Sequence, residues 1–184
     1  MIGLADLSTV DSWDAADRFA WPAVERYNIA ADCLRAAEYL TAQPEVEPSR
    51  VAVAGDDLAL ITAARRPVFA ALQLTGTLLQ GGGAEQVDAD YPAAEFGDHV
   101  RAHPGDADGV RRTLEFFDAH RHAAAVTAAA RVEVPTVPAT LAERLRAERY
   151  ALTHHGQADN DAADAWLAAR LGVPAMSRFS RAAS

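Results

Sequence analysis

Lysine is absent from this chain, and all 17 basic residues are arginine. Schiff-base chemistry and the lysine of a phosphate-binding loop are therefore excluded. Cysteine is nearly absent too: the lone Cys33 has no partner for an internal disulfide, and its apolar helical context suggests a buried thiol in a reducing cytoplasm. No apolar run approaches the roughly 18 residues of a membrane span. The opening MIGLADLSTVD also lacks the basic start and long apolar stretch of a signal peptide. Positive charge is in short supply, since 26 acidic residues against 17 basic leave a formal net charge of -9. Such a field gathers neither phosphate backbones nor anionic lipid heads, so neither nucleic acid nor a membrane is an expected partner.

What is present is ordinary globular material: 184 residues, 50% hydrophobic and 23% charged, enough for one domain with a core. Residues 1–22 read as an irregular lead-in containing Trp13, Phe19, Trp21 and Pro22. From Ala23 to Ala42, Val24, Tyr27, Ala31, Leu34, Ala37 and Leu40 recur at helical spacing, and Pro44 ends the run. A proline-bounded loop leads to the short apolar run Val51 to Ala54 and Gly55, which reads as strand then turn.

Leu58 to Ala64 reads as helix and 68–74 as a second strand, followed by a glycine-rich surface loop over 76–92. Phe96 and Val100 mark one later helix, and Val110, Leu114 and Phe117 another. Strands are expected at 130–134 and 149–153, with a helix from Pro138 to Ala147 between them. A last helix, capped by Asp159 or Asn160, carries Trp166, Leu167 and Leu171 and stops at Gly172 and Pro174. Residues 174–184 read as a loose tail. Alternation of helix and buried strand predicts an α/β fold, about four parallel strands flanked by helices, within a domain spanning 23–173.

The stretch RVAVAGDDLALITAA, residues 50–64, has the strand, tight glycine turn and helix that often present a catalytic side chain, here Asp57. Around it, CLRAAEYLTAQPEVEPSRVAVAG, YPAAEFGDHVRAHPGDADGVRRTLEFFD, HAAAVTAAARVEV and RYALTHHG...DAWLAARLG follow in order. Together these four stretches resemble the C-terminal part of the acetylxylan esterase and cephalosporin-C deacetylase family of α/β-hydrolases. The resemblance implies a serine nucleophile, an acid after the third strand and a histidine after the fourth.

The elbow positions are Gly55, Asp56, Asp57, Leu58 and Ala59, so Asp57 stands where the serine belongs. A carboxylate cannot form the usual acyl-enzyme. Its bland role is to cap the following helix. The acid is missing, because Val134 runs straight into PTVPAT; Glu133 lies inside the strand, and Glu143 on the next helix is a poor substitute. The base is represented by His154 and His155, either of which matches the family histidine. His99, His103, His120 and His122 permit a metal site to be drawn but read as solvated surface residues, and QGGGAEQ reads as a flexible turn. Neither a metal nor a cofactor is expected.

Without the family's opening strands, 51–54 becomes a bare sheet edge, to be filled by a second copy, by a complementing chain, or by the lead-in folding over it. The chain thus reads as an acetylxylan esterase-like pseudoenzyme: a binding or assembly component, open to a small-molecule ligand, that has lost serine esterase activity. The alternative is an active small-molecule hydrolase, an ester deacetylase or an aspartate-nucleophile enzyme, using Asp57 with His154 or His155.

Overall fold

The structure is a computed structural model, and it describes residues 21–77 and 93–175. In chain order the elements are α1 (Trp21–Thr41), β1 (Ala52–Gly55), α2 (Asp57–Arg65), β2 (Ala71–Leu74), α3 (Ala93–Ala102), α4 (Ala107–Glu115), α5 (Ala119–His122), β3 (Ala129–Val134), α6 (Ala139–Leu145), β4 (Glu148–Ala151) and α7 (Gln157–Leu171). The four strands form one parallel sheet in the order β1-β2-β3-β4. This is the predicted α/β arrangement. The tail from 176 onward and most of the glycine-rich loop, 78–92, lie outside the described residues.

Element ends differ from the sequence reading for physical reasons. α1 takes in Trp21 and Pro22, because a proline in the first turn lacks only an N–H that would have had no helical partner. Residues 1–20 of the predicted lead-in lie outside the described residues. β2 starts at Ala71 rather than at residue 68, since β1 offers only Ala52 to Gly55 for pairing. β4 ends at Ala151 rather than 153 because the Thr153 N–H turns away from the sheet to the Asp159 carboxylate, 3.0 Å away. α6 stops at Leu145, where Arg146 adopts a left-handed φ of 51°. Cys33 is half-buried rather than fully enclosed.

The sheet's two faces differ sharply. Leu72 and Leu74 of β2 and Val132 of β3 enter an apolar core with Ala37 of α1, Leu60 and Ala63 of α2, and Leu141 and Ala142 of α6. On the other face stand Gln73, Arg131, Glu133 and Tyr150, brought side by side by the registers Gln73 to Arg131 and Glu133 to Tyr150. α7 contacts β2, and its buried Ala163 and Ala168 fall outside the apolar core, so it covers this second face. Arg50, just before β1, donates to the carbonyls of Leu171 at 2.7 Å and Gly172 at 2.9 Å. A cation therefore closes the negative end of α7 and fastens it across the sheet beside β1.

Arg131 is only 3% exposed. Its guanidinium carbon lies 4.1 Å from the centre of the Tyr150 ring and its Nη1 lies 3.8 Å from Glu133 Oε1, while neither terminal nitrogen has a hydrogen-bond partner. Glu133 in turn accepts from Gln73 Nε2 at 3.1 Å. Removing one member of a buried ion pair leaves the other charge uncompensated, at a cost of about 3 kcal/mol or more. Glu133→Ala is therefore expected to destabilise the chain by roughly that amount in urea unfolding. Replacing both partners, Arg131→Met with Glu133→Leu, should recover most of the loss; a double variant as unstable as the single one would contradict this role.

Candidate functional site

The loops that carry the sequence-predicted site residues all leave the carboxyl edge of the parallel sheet. After β1, Gly55 takes φ 149°, a conformation side-chain-bearing residues rarely adopt. Space is not the constraint there, because a Cβ on Gly55 would meet Ala59 Cβ at an ordinary 3.5 Å. The backbone turn is what requires glycine. Asp56 follows in extended conformation, and its Oδ1 accepts from the Leu58 N–H at 2.9 Å.

The helix cap is therefore Asp56, and the expectation that Asp57 would serve as the cap is corrected by one residue. A cap needs a non-helical backbone, which Asp56 has at ψ -156°, whereas Asp57 is already the first residue of α2. Asp57 is fully buried, at 0% exposure, in the first turn where the helix dipole favours a carboxylate. Among the described non-glycine residues only Arg146 and His154 have positive φ. Asp57 thus carries none of the backbone strain by which an elbow lifts its nucleophile.

After β4 the chain turns sharply through His154, at φ 59°, and Gly156, at φ 39°. One carboxylate holds this turn. Asp159 Oδ1 accepts from the Tyr150 hydroxyl at 2.7 Å, the Thr153 N–H at 3.0 Å and the Thr153 hydroxyl at 2.8 Å. It is the third residue of α7, placed to reach back to the N–H groups before the helix, so it ties the loop rather than capping at the predicted cap position. His154 and His155 are left exposed on the loop so formed. They follow β4 and Asp57 follows β1, so their strands stand three spacings, roughly 14 Å, apart across the sheet.

No carboxylate follows β3. Thr136 occupies that turn, its hydroxyl lying 2.8 Å from the Thr75 carbonyl and 2.9 Å from the Glu133 carbonyl, which share its one proton. Glu133 belongs to the sheet face described above, and Glu143 pairs with Arg149 at 3.1 Å. The four other histidines are not uniformly solvated as expected. His99 is buried, its Nε2 2.9 Å from Asp106 Oδ2 and its ring stacked 4.6 Å from that of His103. His122 is also buried, with Nε2 donating to the Phe116 carbonyl at 2.7 Å. These two brace the helical region between β2 and β3. Among the described residues no group of three or more His, Cys, Asp or Glu side chains is placed to hold a metal ion.

Sequence reasoning undervalued Asp159, whose available signal was an acid three residues past the glycine that opens α7. The Thr153 N–H, the Tyr150 hydroxyl and the other bonds it accepts hold its carboxyl at about 2 instead of 3.8, and the same bond raises the Tyr150 hydroxyl. Because the folded value lies below the unfolded one, this contribution to stability is complete above about pH 4 and disappears as pH falls toward 2. Asp159→Asn should be less stable than the parent chain in denaturant at neutral pH, and the difference should shrink through that acid window. A gap that persists unchanged at the acid end would contradict the assignment.

No family model and no curated protein sequence matches the chain. Solved structures do. An acetyl xylan esterase from Paenibacillus sp. R4 superposes with a TM-score of 0.65 at 21% identity, over 77% of this chain and 52% of that one. Acetyl Xylan Esterase 1 from Thermoanaerobacterium sp. JW/SL YS485 does so with a TM-score of 0.58 at 19% identity, over 72% of this chain and 50% of that one. The chain therefore has an esterase-like α/β fold and spans about half the length of the solved esterases it is similar to.

Proposed function

We propose that this chain is an acetylxylan esterase-like domain that has lost serine esterase chemistry and works as a binding or assembly component. The observation that carries the reading is the state of Asp57, the residue that the sequence resemblance sets at the elbow: it is a fully buried carboxylate in the unstrained first turn of α2. A carboxylate there accepts no activation from a histidine base, and in serine triads loss of the orienting acid alone costs about 10⁴-fold in kcat. His154 and His155 would then be polar loop residues.

The assembly part of the proposal rests on β1. Val51 and Gly55 turn their carbonyls to β2, so by the alternation of a parallel ladder Ala52 and Ala54 aim their N–H and C=O groups the other way, where no described strand lies. We assign that edge to a strand from a second copy of this chain or from a complementing chain. The runner-up, a small-molecule hydrolase using Asp57 with His154 or His155, draws support from the order that Asp159 imposes on the histidine loop.

The two readings separate on 4-nitrophenyl acetate. Incubation with the purified protein should give no turnover above buffer. Turnover that disappears in Asp57→Asn, or in His154→Ala combined with His155→Ala, would establish the hydrolase instead.

A further inference from the structure

A concave site lies at the end of the molecule opposite the loops that carry Asp57, His154 and His155. α2 runs back from the carboxyl edge for 9 residues, which carries Arg65 roughly 12 Å along the axis from Asp57, toward the amino ends of the strands. There Arg65, Arg112 of α4 and Arg121 of α5 converge on one cavity of about 540 Å³ with Phe116 and His122. That volume lies in the range that accepts small molecules. In a chain with a net charge of -9, three guanidiniums on one small cavity run against the overall field.

The local charges do not cancel. Glu115, the one acid among the described residues that line the cavity, is taken by Arg121 at 3.0 Å. Arg65 and Arg112 have no ion pair among the described residues and are exposed to solvent. Each sits in the last turn of its helix, where a cation suits the dipole. That preference accounts for one arginine per helix but not for both facing the same hollow. Phe116 is 50% exposed and supplies an aromatic wall, with Ala64 and Ala125 beside it. The His122 ring is fixed against the Phe116 carbonyl, which holds that wall in place.

We propose that this cavity binds a small organic anion, a phosphate monoester or carboxylate carried on an aromatic or apolar body. Arg65 and Arg112 take the anionic head through paired N–H donors, and Phe116 takes the body. The site is independent of the carboxyl edge and would serve the domain whether or not any hydrolysis takes place.

Isothermal titration calorimetry on the whole chain with phenyl phosphate, benzoate, inorganic phosphate and phenol tests this. Phenyl phosphate or benzoate should bind, inorganic phosphate more weakly and phenol not detectably, with affinity falling as salt is raised. Arg65→Ala combined with Arg112→Ala should weaken binding by at least about tenfold. Phe116→Ala should bring phenyl phosphate down to the inorganic phosphate value. The proposal is overturned if neither organic anion binds the parent chain, or if the double arginine variant, shown folded by circular dichroism, binds as the parent does. A lower melting temperature in that variant with no binding by the parent would leave the arginines only their helix ends to serve.

Discussion

The pairing of β1 with β2 is the contact on which the other arrangements depend. It sets Gly55 at the end of a four-residue ladder, so the chain must turn there and α2 must start at Asp57. α2 then lays Leu60 and Ala63 onto the face that Leu72 and Leu74 present, and the apolar core is built on that contact. The same ladder orients every second residue of β1 outward. The core, and an edge of β1 with no described strand beside it, are thus two results of one short register.

Coverage of the two faces follows different chemistry. The apolar face is closed by side chains from α1, α2 and α6 through ordinary burial of hydrophobic surface. The second face holds a buried guanidinium, a carboxylate, an amide and a phenol, and α7 spans it, about 22 Å long for its 15 residues. α7 is anchored at both ends by charge, through Asp159 at its start and Arg50 at its finish. The histidine loop is ordered because that helix is, so its geometry reports on the packing of the sheet.

The fold was legible from the order of apolar runs, since short strands alternating with amphipathic helices leave few alternatives to a parallel sheet. The strand, glycine turn and helix were legible as a shape from Gly55, but which aspartate caps α2 depends on ψ at Asp56, and composition does not carry that. Residues 130–134 read as a strand, yet the alternation of Arg131, Val132 and Glu133 marks two different faces; a buried arginine becomes explicable only when Tyr150 stands beside it. Burial of His99 and His122 was equally hidden, because each sets its Nε2 against a partner six or seven residues away across a turn. The arginine-lined cavity joins α2 to α4 and α5, which lie far apart in the chain, and so no local pattern announced it.

The central claim is that β1 is an edge completed from outside the chain. Amide hydrogen exchange, followed residue by residue along β1 at rising protein concentration, tests it most directly. The account predicts that Val53 and Gly55 are protected throughout. Ala52 and Ala54 should exchange quickly in dilute solution and become protected as copies associate, or when a complementing chain is added. Protection of Ala52 and Ala54 in a dilute monomer, equal to that of Val53, would contradict the claim, because the chain would then be covering its own edge.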